Sequence, residues 1–157
     1  MIYHTSPVEI KEIKANNGIF EDVLFFSSHV YKMAVGEVFV YEVDSDELSF
    51  ADVCDLYDEE IGQEIADKIA YLSGQDIDLD LAYDLLGGYK SIWEVGGDFD
   101  FDGELMADVD WFIQAKQAKC AVKMGFDGAL GEDEQGAVYM IPMFNRENLL
   151  KFIGKEG

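Results

Sequence analysis

A chain of 157 residues is long enough for one domain with a substantial core and too short for two, and a composition 49% hydrophobic and 13% aromatic excludes a disordered polymer. Thirty-three acidic residues against 11 Lys and Arg give a net charge of −22, which repels a phosphate backbone and leaves no basic patch to hold one, so direct nucleic-acid binding is excluded. No stretch approaches the about 18 apolar residues of a membrane span, no signal-like segment opens the chain, and Cys54 and Cys120 set no disulfide framework or thiolate metal site. A cytoplasmic protein with both cysteines in its core is expected.

The opening "IYHTS" predicts a short strand that Pro7 closes. After the turn-prone Asn16, Asn17 and Gly18, "VLFFSS" predicts a buried strand. "SHVYKMAVG" follows as a short helix capped by Ser27 or Ser28 and stopped by Gly36, and "EVFVYEV" as an alternating strand. From Ser49 to about Ile92 apolar residues recur at helical spacing, among them Ile61, Ile65, Ile69, Leu81 and Leu85, with breaks at Gly74 and at Gly87 and Gly88, so two helices are expected. The loop "GGDFDFDGE" leads to a long helix near Leu105 to Met124. Two strands, near Asp127 to Leu130 and Ala137 to Pro142, are joined by the acidic turn Glu132, Asp133 and Glu134, and "RENLLKFI" predicts a C-terminal helix. The chain is a single α+β domain over residues 1–157, with no internal repeat.

Several site chemistries fail on spacing. Asp98, Asp100, Asp102 and Gly103 match the first, third, fifth and sixth positions of a calcium-binding EF-hand loop, but the twelfth is Val109, where a bidentate carboxylate is needed; capping of the next helix by Asp102 or Glu104 is the better reading. His4 and His29 lack the paired spacing of a zinc site, and "FFSSH" lacks the glycines of a nucleophile elbow. What remains is a set of polar residues at strand ends: His4, Thr5 and Ser6 after the first strand, Ser27 and Ser28 after the second, and the acidic triplet before the last. Each alone has a structural explanation, as a backbone-bonded histidine, helix caps and a solvated turn.

Together these segments resemble a family. "IYHTSPVEIKEI", "NNGIFEDVLFFSSHVYKMAVGE" and "DWFIQAKQAKCAVKMGFDGALGEDEQGAVYMIP", with Trp111, Gln114, Ala121, Val122 and Gly125 as matching positions, are similar to the small phage-type anti-CRISPR ADP-ribosyltransferases that disable type I-F CRISPR complexes. The resemblance implies the ADP-ribosyltransferase fold, split antiparallel β-sheets flanked by helices, with residues of about 49–95 as an acidic helical insertion outside the match. It implies NAD as cofactor, with His4 at the nicotinamide ribose, the Thr5 backbone on the nicotinamide amide, Ser6 close to the dinucleotide, Phe20 lining the nicotinamide pocket and Ser27 among the cofactor-binding residues. Phe25 and Phe26 stand where the family has small residues.

Asp133 falls on the family's catalytic acid, with Glu132 and Glu134 as its neighbours. A carboxylate held there opposes the positive charge that develops as the glycosidic bond of NAD breaks. The activity so implied is mono-ADP-ribosylation of a protein in the host cytoplasm, a CRISPR-Cas surveillance-complex subunit that reads the PAM. A second reading needs no catalysis: an acidic surface on residues 49–86 would imitate DNA and occupy a nucleic-acid-binding complex.

Overall fold

A computed structural model describes residues 1–6, 10, 23–28, 38–133, 136–144 and 146–156. Seven strands, β1 (Ile2–Ser6), β2 (Val23–Ser27), β3 (Val38–Val43), β4 (Phe50–Asp52), β5 (Gly128–Asp133), β6 (Gly136–Pro142) and β7 (Lys151–Glu156), form one sheet in the order β4-β5-β6-β2-β1-β3-β7. Helices α1 (Glu59–Ser73), α2 (Leu79–Leu86), α3 (Ile92–Val95) and α4 (Gly103–Lys123) all fall between β4 and β5. The α+β class expected from the sequence is the class observed.

Each helix starts where its caps dictate. The Asp58 carboxylate accepts the Ile61 amide at 2.9 Å to open α1, and Glu59 and Glu60 follow in the first turn, where the helix dipole favours acids. Gly74, at φ 71°, ends that helix in the left-handed conformation that glycine adopts without strain. Asp78 caps α2, and Asp102 caps α4 by accepting the Leu105 amide at 2.8 Å. The acidic loop before α4 therefore serves the helix.

Burial divides the core between the two faces of the sheet. On one face Val23, Ala51, Ala129 and Met140 meet Ile61, Ile65 and Ile69 of α1, Leu85 and Leu86 of α2 and the Val109, Ile113 and Ala118 stripe of α4. On the other, Ile2, Phe26, Val43, Ile141 and Met143 form a smaller cluster. Residues 49–95, read from sequence as an insertion, thus supply half of the larger core.

Four features depart from expectation. β4 was not expected; it pairs in parallel with β5, Ala51 opposite Ala129. The C-terminal segment is a 3-10 turn, Glu147–Leu149, followed by β7 rather than a helix. It lies along the otherwise unpaired edge of β3, where Phe152 packs on Phe39 and Tyr41 at 6.0 and 5.6 Å between ring centroids, so tertiary pairing overrides helical propensity.

Cys54 is exposed and only Cys120 is buried, its thiol pushed up to about 11 by burial. Finally, the described strands form one sheet where split sheets were expected. β1 and β2 share the single registered pair Tyr3–Ser27 among the described residues, whereas β1–β3 and β2–β6 each run through five, so the halves stay joined as one sheet by a thin junction. Residues 29–35 of the helix expected after Ser28 lie outside the described residues, and no described helix is long and apolar enough to cross a membrane.

One glycine is demanded by the packing of β5 on β6. A Cβ at Gly128 would run into the Met140 carbonyl, backbone that cannot rotate away, whereas one at Gly97 meets nothing within 4 Å. Gly128→Ala is expected to lose about 1–3 kcal/mol in urea unfolding and Gly97→Ala to stay within about 0.5 kcal/mol of the parent; equal midpoints for the two would refute this account of the β5–β6 contact.

Candidate functional site

Between the helix-covered face of β2, β5 and β6 and the helices α2, α3 and α4 lies an open cleft of about 820 Å³. Its floor is apolar, built from Phe25, Val138 and Met140 of the sheet with Leu85, Ile92 and Ile113 of the helices. Polar groups enter from α4 at helical spacing: Asp110, Gln114 and Gln117 stand at i, i+4 and i+7 and so share one side of the helix. The buried Gln117 amide donates to the Leu86 carbonyl at 3.0 Å, tying α4 to the end of α2 and holding the cleft wall in place. Trp111 lines the same wall and is 39% exposed.

Among the described residues Asp52, Asp110, Glu132 and Lys90 line the cleft; Lys90 Nζ leans to Asp84 at 3.9 Å, and the register of β5 on β6 puts the Glu132 side chain on the Tyr139 face of the sheet rather than over the cleft floor. Burial raises the Asp110 carboxyl above its ordinary value, while hydrogen bonds from the Trp93 indole and from Gln114 Nε2, the latter at 2.9 Å, oppose the rise.

The sequence-predicted residues separate into two groups. Trp111, Gln114, Phe25, Phe26 and Glu132, drawn from the two remote stretches that carry the resemblance, surround this cleft. Asp133 ends β5 opposite Gly136, one residue beyond Glu132 in the cleft wall; its side chain lies outside the described residues, as does Phe20. His4, Thr5, Ser6 and Ser27 gather instead at the seam between β1 and β2, with Ser6 and Ser27 buried. β6 and β2 stand between β5 and β1, about 14 Å at about 4.8 Å per strand. One ribose served by both Asp133 and His4 must therefore bridge two strands.

His4 takes up the hydrogen bonding that the thin seam leaves undone. Its Nδ1 donates to the Phe25 carbonyl at 2.8 Å, and its ring lies 5.6 Å from that of Phe26. A carbonyl only accepts, so the neutral tautomer carries its proton on Nδ1 and keeps Nε2 as a lone-pair acceptor. Burial lowers the His4 pKa from 6.5 and outweighs the opposing pull of the Phe25 carbonyl. The imidazole is neutral at neutral pH.

No family model and no curated protein matches the chain. It is similar to a solved anti-CRISPR protein. That structure, "Crystal structure of an anti-CRISPR protein", shares 18% sequence identity over 89% of this chain and 87% of its own, with a TM-score of 0.45.

The residues present fit NAD unevenly. A neutral histidine whose Nε2 keeps its lone pair suits a ribose hydroxyl, whereas the described cleft lining, with the Asp110 carboxyl at its wall, offers a pyrophosphate little to bind. Sequence reasoning missed Asp110, Lys90 and Cys54 as cleft residues. The polar spacing of Asp110, Gln114 and Gln117 along one side of α4 was the signal that marked the first.

His4 makes a pH dependence with a definite sign. Its folded pKa lies below the unfolded value of 6.5, so between the two the unfolded chain binds more protons, and the stability it contributes is full above 6.5 and lost as pH falls through the folded pKa. Urea midpoints measured from about pH 5 to 8 are expected to rise with pH, and the His4→Gln variant to rise less steeply; identical slopes would show that His4 titrates alike in both states.

Proposed function

We propose that the chain is an NAD-dependent mono-ADP-ribosyltransferase that modifies a protein subunit of a CRISPR-Cas complex, reducing that complex's activity. The observation that carries this reading is convergence. Segments that resemble the family yet lie some hundred residues apart bring Phe25 against Trp111 and Gln114 in one cleft, and the hairpin bearing Asp133 runs on from its wall.

NAD supplies an ADP-ribosyl group on a glycosidic bond to nicotinamide, a good leaving group. In this reading His4 accepts a ribose hydroxyl through Nε2, oriented by its bond to the Phe25 carbonyl, while Ser6 and Ser27 sit beside it in the seam. Phe20 belongs to the nicotinamide pocket, as the resemblance implies, and the Thr5 backbone to the nicotinamide amide. Asp133 presents a carboxylate to the carbon from which nicotinamide departs, and its charge counts for more as positive charge develops than in the ground state. A hairpin fixed by five pairs between β5 and β6 holds that carboxylate's backbone more firmly than a free loop would.

The DNA-imitation reading is served less well by the geometry. Asp58 and Glu60 pair with Lys123 at 3.0 and 3.3 Å, and Glu64 pairs with Lys116 at 2.8 Å, so much of the acidic face of α1 turns toward the chain's own lysines. Paired carboxylates imitate phosphates poorly.

Intact-mass analysis of CRISPR-complex subunits incubated with the protein and NAD is expected to show an added ADP-ribose. Asp133→Asn keeps the side-chain shape and removes the charge, and is expected to slow the modification by about two orders of magnitude or more with an unchanged melting temperature. Modification at the parental rate by Asp133→Asn, with Glu132→Gln silent instead, would move the catalytic carboxylate into the cleft. Inhibition that persists in full without any mass change would sink the enzymatic reading.

A further inference from the structure

Two glycines seat a pair of tyrosine rings on the outside of the molecule. A Cβ at Gly62 of α1 would collide with the Tyr83 ring, so only glycine lets that ring lie against the helix. Tyr57 packs on Tyr83 in turn, at 5.0 Å between ring centroids, and its hydroxyl hydrogen-bonds Tyr83 and Glu59. A Cβ at Gly87 would stand 2.9 Å from the Tyr89 ring, and the Tyr89 hydroxyl donates to the Cys54 carbonyl at 2.8 Å. That bond ties Tyr89 to the 3-10 turn Val53–Asp55, just ahead of Tyr57 in the chain. Both rings are held in place and yet stay in solvent, Tyr57 at 56% exposure and Tyr89 at 67%. A fixed, exposed aromatic ring is prepared for a partner, because the freedom that contact removes is already absent in the unbound protein.

The charge beside these rings selects the partner. Asp55 and Glu59 flank Tyr57 in the chain, both are exposed, and neither pairs with a cation among the described residues, whereas Asp58 and Glu60 pair with Lys123 at 3.0 and 3.3 Å. Glu59 reaches Tyr57 itself, so a carboxylate stands at the edge of an exposed ring. We propose that Tyr57 and Tyr89, with Asp55 and Glu59, form a docking surface for an arginine-bearing segment of a protein partner. A guanidinium stacks on a tyrosine face while its fork of N–H donors meets a carboxylate, and tyrosine is among the residues that carry most interface energy. The net charge of −22 draws such a segment in before contact and repels a second copy of this chain. The proposal holds whether or not ADP-ribose is transferred, and its test contains no NAD.

The test is titration of the intact, ¹⁵N-labelled protein with a capped tetra-arginine peptide, followed by the shifts of its backbone amides. Saturable shifts are expected, largest over Cys54 to Glu59 and Gly87 to Tyr89, and the uncharged tetra-citrulline peptide is expected to give none. Tyr57→Ala combined with Tyr89→Ala is expected to weaken binding about tenfold. Because the second change also removes the bond to the Cys54 carbonyl, Asp55→Asn combined with Glu59→Gln serves as a variant that leaves both rings in place, with a loss of about tenfold expected again. Tyr71→Ala, at a ring 84% exposed elsewhere on α1, and Glu47→Gln combined with Asp76→Asn are expected to leave the affinity nearly unchanged. The proposal is overturned if the arginine peptide does not saturate, if the shifts spread evenly over the acidic surface, if citrulline binds as well as arginine, or if the variants outside the surface weaken binding as much as those within it.

Discussion

Two parallel neighbours in a sheet cannot be joined by a turn, and the pairing of β4 with β5 imposes that constraint on half the chain. Residues 53–127 must leave one end of the sheet, cross a face and return, and α1 to α4 are what the crossing is made of. The start of the pair is locked by polar contacts rather than by packing. The Asp127 carboxylate accepts the Ser49 amide at 2.9 Å and meets Arg146 Nη2 at 2.7 Å, while the Asp127 amide donates to the Ser49 carbonyl at 2.8 Å. These contacts, the Ser49 amide foremost, hold the Asp127 carboxyl below its usual range. Because the crossing helices cover the face built by β2, β5 and β6, the cleft is the gap that the same constraint leaves open.

The long helix α4 serves both sides of that crossing. Its small residues Ala115, Ala118 and Ala121 are buried, and small side chains let a helix approach its neighbours closely. One edge presents Asp110, Trp111 and Gln114 to the cleft, and another presents Lys116 and Lys123 to the acids of α1. Surface pairs of this kind are each worth only about 0–1 kcal/mol, so they do not hold the fold together. Their larger effect is on where the charge of −22 goes uncompensated. α1 is partly neutralised along its length.

Much of the fold is legible in the sequence because it rests on strong local signals. The caps Asp58, Asp78 and Asp102, the stops at Gly74 and Gly125, and the Ile61, Ile65 and Ile69 stripe place α1, α2 and α4 within a few residues of where their patterns put them. β4 is illegible because three residues, Phe-Ala-Asp, are too few to show a period, and its pairing is decided by a strand some 75 residues away. β7 reads as helix because Leu149, Leu150, Phe152 and Ile153 also satisfy helical spacing; the open edge of β3 decides between the two, and that edge is not visible in a local window. For the site, the resemblance marked Trp111 and Gln114, which the structure brings into the cleft, but said nothing of Asp110 beside them. The meaning of Asp110 depends on burial against α3, a long-range consequence of the crossover.

β2 separates two packing environments. Its consecutive residues Phe25 and Phe26 pack into opposite clusters, so the strand has the cleft on one face and the ring pair of Phe26 with His4 on the other. Burial lowers the His4 pKa, and the bond to the Phe25 carbonyl opposes that shift without reversing it. The same carbonyl that terminates the thin seam, that of Phe25, fixes which imidazole nitrogen holds the proton. A chain with 33 acidic residues thus keeps one neutral, oriented acceptor, because burial sets the charge of His4 and the Phe25 carbonyl sets its tautomer.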